Sequence, residues 1–101
     1  MSRRFLCNRN DVPFDAMREV SLEGDEKVCV INAGGMFFAC QPACPHEGVP
    51  LCEGCVEGTT LTCLEHLWQW DLRDGSPVGL AEASLGMREV EVDADAIYLI
   101  G

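Results

Sequence analysis

Apolar residues in this chain come in short runs broken by glycine, proline and acidic residues, and no long amphipathic helical pattern is present. Val28-Cys29-Val30-Ile31 and Met36-Phe37-Phe38-Ala39-Cys40 flank Asn32-Ala33-Gly34-Gly35, which predicts a β-hairpin: β-branched and aromatic residues suit a half-buried pleat, and the tetrad suits a turn. Near the C-terminus, Arg88-Glu89-Val90-Glu91-Val92 alternates polar and apolar positions. Asp93-Ala94-Asp95 can turn the chain, and Ala96-Ile97-Tyr98-Leu99-Ile100 returns as an apolar run, so a second hairpin is predicted. Between the hairpins, from about residue 41 to 80, the chain is rich in Pro, Gly and Cys. Its strand-like runs there are short: Thr59-Thr60-Leu61-Thr62, and Trp68-Gln69-Trp70-Asp71-Leu72, whose two tryptophans would share one strand face and pack beneath the neighbouring loops. Arg73-Asp74-Gly75-Ser76-Pro77-Val78-Gly79 reads as a further loop. There is no internal repeat. The expectation is an all-β chain of one domain, residues 1–101, with a base of antiparallel strands drawn from both ends and a subdomain inserted at about 41–80.

Composition narrows the partners. At 101 residues the chain has room for one core, and 48% hydrophobic with 24% charged residues is ordinary for a globular protein. Seventeen acids against seven bases give a formal charge of −10, which opposes binding to nucleic acid and favours a partner with a basic docking surface. Seven cysteines are an odd number for a disulfide scaffold, and a reducing cytoplasm is the expected compartment. Ser2-Arg3-Arg4-Phe5-Leu6 has the look of a twin-arginine export core, but the apolar stretch that should follow is replaced by Asn8, Arg9, Asn10 and Asp11. No run is long enough for a membrane span, so no membrane is expected among the partners.

The candidate chemistry lies in two short motifs that contain both histidines of the chain: Cys44-Pro45-His46 and, after sixteen intervening residues, Cys63-Leu64-Glu65-His66. Two thiolates and two imidazoles could hold zinc, or an iron–sulfur cluster whose two irons carry different ligand pairs. A rival zinc reading takes Cys52-Glu53-Gly54-Cys55 together with Cys63 and His66 as a Cys3His site, and leaves Cys44 and His46 unused. Pro42, Pro45, Gly48 and Pro50 crowd the first motif and would stiffen its loop, whichever metal is bound.

Cys44-Pro45-His46-Glu47-Gly48, the spacer and Cys63-Leu64-Glu65-His66 resemble the cluster-binding motif of Rieske proteins. The resemblance extends to Leu51-Cys52-Glu53-Gly54, Val56-Glu57-Gly58, the loop at Gly75-Ser76-Pro77 and the closing hairpin, and so covers most of the chain. It implies a Rieske domain with an antiparallel, sandwich-like base and one [2Fe–2S] cluster, one iron on Cys44 and Cys63 and the other on His46 and His66. The extra disulfide-forming cysteines of respiratory Rieske proteins have no counterpart here, since Val49 and Glu65 stand at the matching positions. The chain is therefore similar to the Rieske ferredoxins of bacterial multicomponent oxygenases, and Leu67-Trp68 after the second motif resembles those serving toluene-type monooxygenases. That resemblance implies an electron carrier with no catalytic residues of its own. A flavin-containing NAD(P)H reductase would supply the electron, and the terminal oxygenase of an aromatic or hydrocarbon system would accept it. Imidazoles in place of two thiolates raise the potential to about −150 mV or higher, against about −400 mV for an all-cysteine cluster. His46 and His66 would form the exit path.

The same resemblance leaves three rivals: a nitrite-reductase small subunit, a structural zinc module and a redox sensor. Glu47 and Glu65, beside the histidines, are expected to lower the potential or to be solvated surface acids. Cys52 and Cys55 read as a regulatory dithiol or as incidental thiols. Cys7, Cys29 and Cys40 read as core or edge residues. Pro77 is expected in a loop that shields the cluster.

Overall fold

The computed structural model describes residues 2–45, 48–65 and 67–101. The strands are β1 (Arg3–Asn8), β2 (Ala16–Ser21), β3 (Lys27–Ala33), β4 (Met36–Cys40), β5 (Cys55–Glu57), β6 (Thr60–Cys63), β7 (Trp68–Asp71), β8 (Pro77–Val78), β9 (Met87–Arg88), β10 (Val90–Asp93) and β11 (Ala96–Ile100). They form three antiparallel sheets, ordered β1-β11-β10, β2-β3-β4-β9 and β5-β6-β7-β8. Among the described residues the only helices are single 3-10 turns, as the short apolar runs predict.

β3 is the wall between two cores. Val28 to Ala33 are all buried, so this strand reads as a continuous apolar run where a surface strand would alternate. Its alternate residues nevertheless part company: Cys29, Ile31 and Ala33 pack with Leu51, Leu61, Trp68, Trp70 and Leu72, whereas Val28 and Val30 pack with Leu6, Val12, Ile97 and Leu99. The second group is the core beneath the terminal sheet. A register shift between Phe5 and Cys7 in the β1–β11 pairing lets Leu6 and Cys7 both turn inward.

The predicted first hairpin is present, with a tighter turn than expected: Ala33 pairs with Met36, leaving Gly34 and Gly35, at φ +63° and +100°, as a two-residue loop. Buried Asn32 holds it, donating from Nδ2 to the Val12 carbonyl at 2.8 Å and accepting at Oδ1 from the Gly35 N–H at 2.8 Å. The predicted closing hairpin is present from Val90 to Ile100, but its first strand is shorter than the alternation suggested. Arg88 leaves it to join Met87 as β9, which pairs with Ala39 and Cys40 of β4, so the polar–apolar run is divided between two sheets. Glu26 clamps this junction, its carboxylate accepting from Arg4 at 2.7 Å and from Arg88 at 3.1 Å.

Candidate metal centre

The first ligand loop leaves β4 after Cys40 and is closed at its neck by backbone hydrogen bonds. Cys44 N–H donates to Val49 C=O at 2.8 Å, Gly48 N–H to Cys44 C=O at 2.9 Å and Leu51 N–H to Pro42 C=O at 2.9 Å, while Gly48 adopts φ +74°. Gln41 fastens the base, donating to Ala43 C=O at 2.6 Å and accepting from Gly86 N–H at 2.7 Å. Gly86 in turn adjoins Leu85, whose N–H donates to Gly75 C=O at 2.8 Å, so the loop after β8 is tied to the first ligand loop. Gln41 was not anticipated as a positioning residue. Its signal was faint: a lone amide immediately before the Pro- and Cys-rich segment.

The second ligand loop is the connection between β6 and β7, where Cys63 pairs with Trp68. Its sequence has neither Gly nor Asn, yet the turn needs a left-handed residue, and Leu67 takes that conformation at φ +59°. Leu64 and Leu67 are both exposed, at 57% and 59%. Beneath them Trp68 and Trp70 meet edge to face, centroids 6.2 Å apart, and Trp70 Nε1 donates to Ala83 C=O at 2.8 Å. The tryptophans thus pack under the loops, as their spacing predicts. Pro77 is exposed and pairs with Trp70 on the edge strand β8, where a missing N–H is tolerated.

Cys44 and Cys63 are buried at the bases of the two loops and belong to one core cluster. Beside Cys63 opens a cleft of about 270 Å³, lined by Val49, Pro50, Glu53, Gly54, Leu64 and Glu65. His46, Glu47 and His66 lie outside the described residues. Glu65 is exposed and Val49 half-buried.

The remaining cysteines are placed differently. Cys55 is exposed on β5, whereas Cys52 is half-buried and packed against the core that contains Cys29. The two motif cysteines therefore sit in opposite environments and do not form a dithiol facing one way. Burial pushes the Cys52 thiol pKa up, with help from Cys29. Cys29 and Cys40 face each other across β3 and β4; a hydrogen bond to Cys29, then burial, pushes the Cys40 thiol far above the usual range. Cys7 is raised chiefly by burial.

These positions bear on the zinc reading. The zinc reading needs Cys52, Cys55 and Cys63 together; all three are described, and among the described residues no three His, Cys, Asp or Glu side chains converge as a metal site. The cluster reading needs Cys44, His46, Cys63 and His66; of these, Cys44 and Cys63 are described, buried at the roots of the two loops and in one core cluster. Two cysteines and two histidines in this sequence pattern are the donor types a Rieske cluster takes.

Comparison with known proteins agrees. The Rieske [2Fe-2S] domain model matches residues 2–88. The methanesulfonate monooxygenase ferredoxin subunit of Methylosulfonomonas methylovora is 37% identical over 92 residues, covering 90% of this chain and 74% of the relative. A chain from a complex of reduced oxygenase and oxidised ferredoxin in carbazole 1,9a-dioxygenase is 26% identical with a TM-score of 0.86, over 96% of this chain and 91% of that one. A chain described as an NADH-dependent nitrite reductase small subunit, from Mycobacterium tuberculosis, superposes with a TM-score of 0.85 over 97% of this chain and 93% of the other, but at 17% identity it shares the fold alone. With its two ligand-bearing loops carried on antiparallel sheets, the chain belongs to the Rieske [2Fe-2S] domain family.

Proposed function

We propose that this protein is a Rieske ferredoxin that carries single electrons from an NAD(P)H-dependent flavin reductase to the terminal oxygenase of a mono- or dioxygenase system. One [2Fe–2S] cluster per chain supplies the redox chemistry, with Cys44 and Cys63 on one iron and His46 and His66 on the other. The observation that carries this reading is the separation of the cysteines: Cys44 and Cys63 are buried at the roots of the two loops, while Cys52 and Cys55 face different environments. The ligand loops belong to the subdomain at about residues 41–80, with the β5–β8 sheet beneath them. Core packing around Trp68 and Trp70 keeps water from the sulfur side. The cytoplasm supplies the reductant, and among the described residues no helix is long and apolar enough to cross a membrane.

Iron and acid-labile sulfide analysis tests the assignment. Two iron and two sulfide per chain are expected. A Cys52→Ser, Cys55→Ser double variant keeps both, while Cys44→Ser or Cys63→Ser loses them. Stoichiometric zinc without sulfide would end this reading. The nitrite-reductase alternative has only the shared fold behind it, whereas the oxygenase reading has the ferredoxin subunit at 37% identity.

A further inference from the structure

Leu67 is an anomaly in its own turn. Among the described non-glycine residues with positive φ, the others are Asp15, Asp25 and Ala94, small residues or ones whose side chains suit such turns. A leucine there is disfavoured by its backbone, and at 59% exposure its side chain contributes little packing in return. Glycine would take this conformation without the Cβ penalty and at little loss of packing. A residue that suits neither local backbone nor core, immediately after a ligand position, marks a functional constraint.

The surroundings say what kind. Leu64 is exposed at the other end of the same turn, and Val78, exposed at 40%, pairs with Gln69 on the outer face of the sheet, two residues beyond Leu67. From Val28 to Leu72 the chain has no lysine or arginine. Of the acids in that span, Glu57 and Asp71 lie opposite Thr60 at the other end of the sheet, so the charge beside the second loop comes from Glu53 and Glu65. Glu53 and Glu65 line the cleft beside Leu64. The ligand-bearing end therefore presents an apolar knob bordered by negative charge. Its complement is an apolar recess bordered by lysine or arginine.

We propose that Leu67, with Leu64 beside it, is the anchor by which this ferredoxin seats in such a recess on its terminal oxygenase, and that the left-handed backbone at Leu67 is retained to present that side chain. This rests on the electron-carrier reading above. Leu67 acts in docking only, with no part in the redox chemistry.

The test uses the cluster-loaded protein with the terminal oxygenase component of its own system and measures oxygenase turnover against ferredoxin concentration. Leu67→Gly relaxes the turn while removing the knob, so iron content, midpoint potential and thermal midpoint stay at or near wild-type values. The KM for the ferredoxin rises by about tenfold with little change in kcat, and Leu64→Ser gives a smaller rise in the same direction. Reduction of the variant by the reductase keeps its wild-type dependence on ferredoxin concentration. An unchanged KM in cluster-loaded Leu67→Gly overturns the proposal, as does a KM increase seen only with the reductase, which would make the reductase the occupant. If the wild-type protein binds no iron or passes no electron to the oxygenase, the carrier reading itself has failed, a result distinct from either.

Discussion

Gly54 links the fold to the metal centre most directly, and replacing it with alanine should damage both. Its φ of −81° is open to any residue, so no conformational penalty is expected, and reduced freedom of the unfolded chain would favour alanine by about 0.4–1 kcal/mol. The obstacle is steric. A Cβ at this position would press into the Thr62 carbonyl oxygen, with Leu51 C=O at 3.2 Å on the other side. Both neighbours are backbone, so no side chain can swing away. Overpacking of this kind costs about 1–3 kcal/mol, and a rigid obstacle places Gly54→Ala toward the upper end, for a net loss of about 2 kcal/mol. For a domain this size that is a fall of about 8–16 °C in Tm. Thr62 precedes Cys63, so the same displacement moves a proposed cluster ligand, and iron per chain should fall with Tm. Gly58→Ala is the control: at φ +61°, with nothing within 4 Å of the added Cβ, it costs about 1 kcal/mol through backbone strain alone and leaves the iron content unchanged. Thermal unfolding followed by circular dichroism, together with iron analysis of both variants, decides the matter. A Gly54→Ala protein with wild-type Tm and full iron would refute the steric account.

Three other outcomes are expected. Trp70→Phe removes the bond to Ala83 C=O and part of a fully buried ring, and should cost about 1–3 kcal/mol in urea denaturation while the cluster spectrum survives. Hydrogen bonds from Arg4 and then Arg88 hold the Glu26 carboxyl below its ordinary value of 4.5. Its contribution is therefore fully present above about pH 4.5, fades as pH falls through the lowered folded value, and should vanish from the acid limb of the stability curve in Glu26→Gln. Asp71, held at about 2 by Arg73, behaves likewise: its contribution is complete above pH 3.8 and lost near pH 2, so Asp71→Asn should flatten the lowest part of an acid titration followed by fluorescence.

Strand existence was legible wherever periodicity was strong, as in the two hairpins and the Trp68–Trp70 alternation. What escaped were elements whose identity depends on a distant partner. β1 and β2 carry arginines and glutamates at exposed positions, and their pairing with β11 and β3 is a tertiary fact. β9 is two residues cut from an apparently continuous strand because Cys40 and Ala39 of β4 offer Met87 and Arg88 an edge. At the centre, residue types and spacing pointed to Cys44, His46, Cys63 and His66; the structure places the two cysteines, buried at the loop roots, while His46 and His66 lie outside the described residues. The left-handed Leu67 was illegible, since nothing in Cys63-Leu64-Glu65-His66-Leu67-Trp68 says which residue will absorb the turn.

Seven cysteines in so short a chain raise the question of how a metal centre selects two. Metal binding requires thiolate, and the free energy of ionisation depends on surroundings. Cys40 is held as a thiol by its bond to Cys29 and by burial, and burial raises Cys7 and Cys52 as well, so each would surrender its proton to iron only at additional cost. Cys55 is exposed on β5, opposite Thr62, and among the described residues no metal-binding group of three converges on it. Cys44 and Cys63 stand at loop roots, where a bound cluster would take up their charge. Cys44 and Cys63 are themselves buried, so convergence of the two loop roots, more than burial, makes the selection. On this account, adding ionisable cysteine ligands is harmless unless they converge: Val49→Cys, beside the cleft next to Cys63, should perturb cluster assembly, measured as sulfide per chain after reconstitution, whereas Thr59→Cys, half-buried at the far end of the β5–β6 turn, should not.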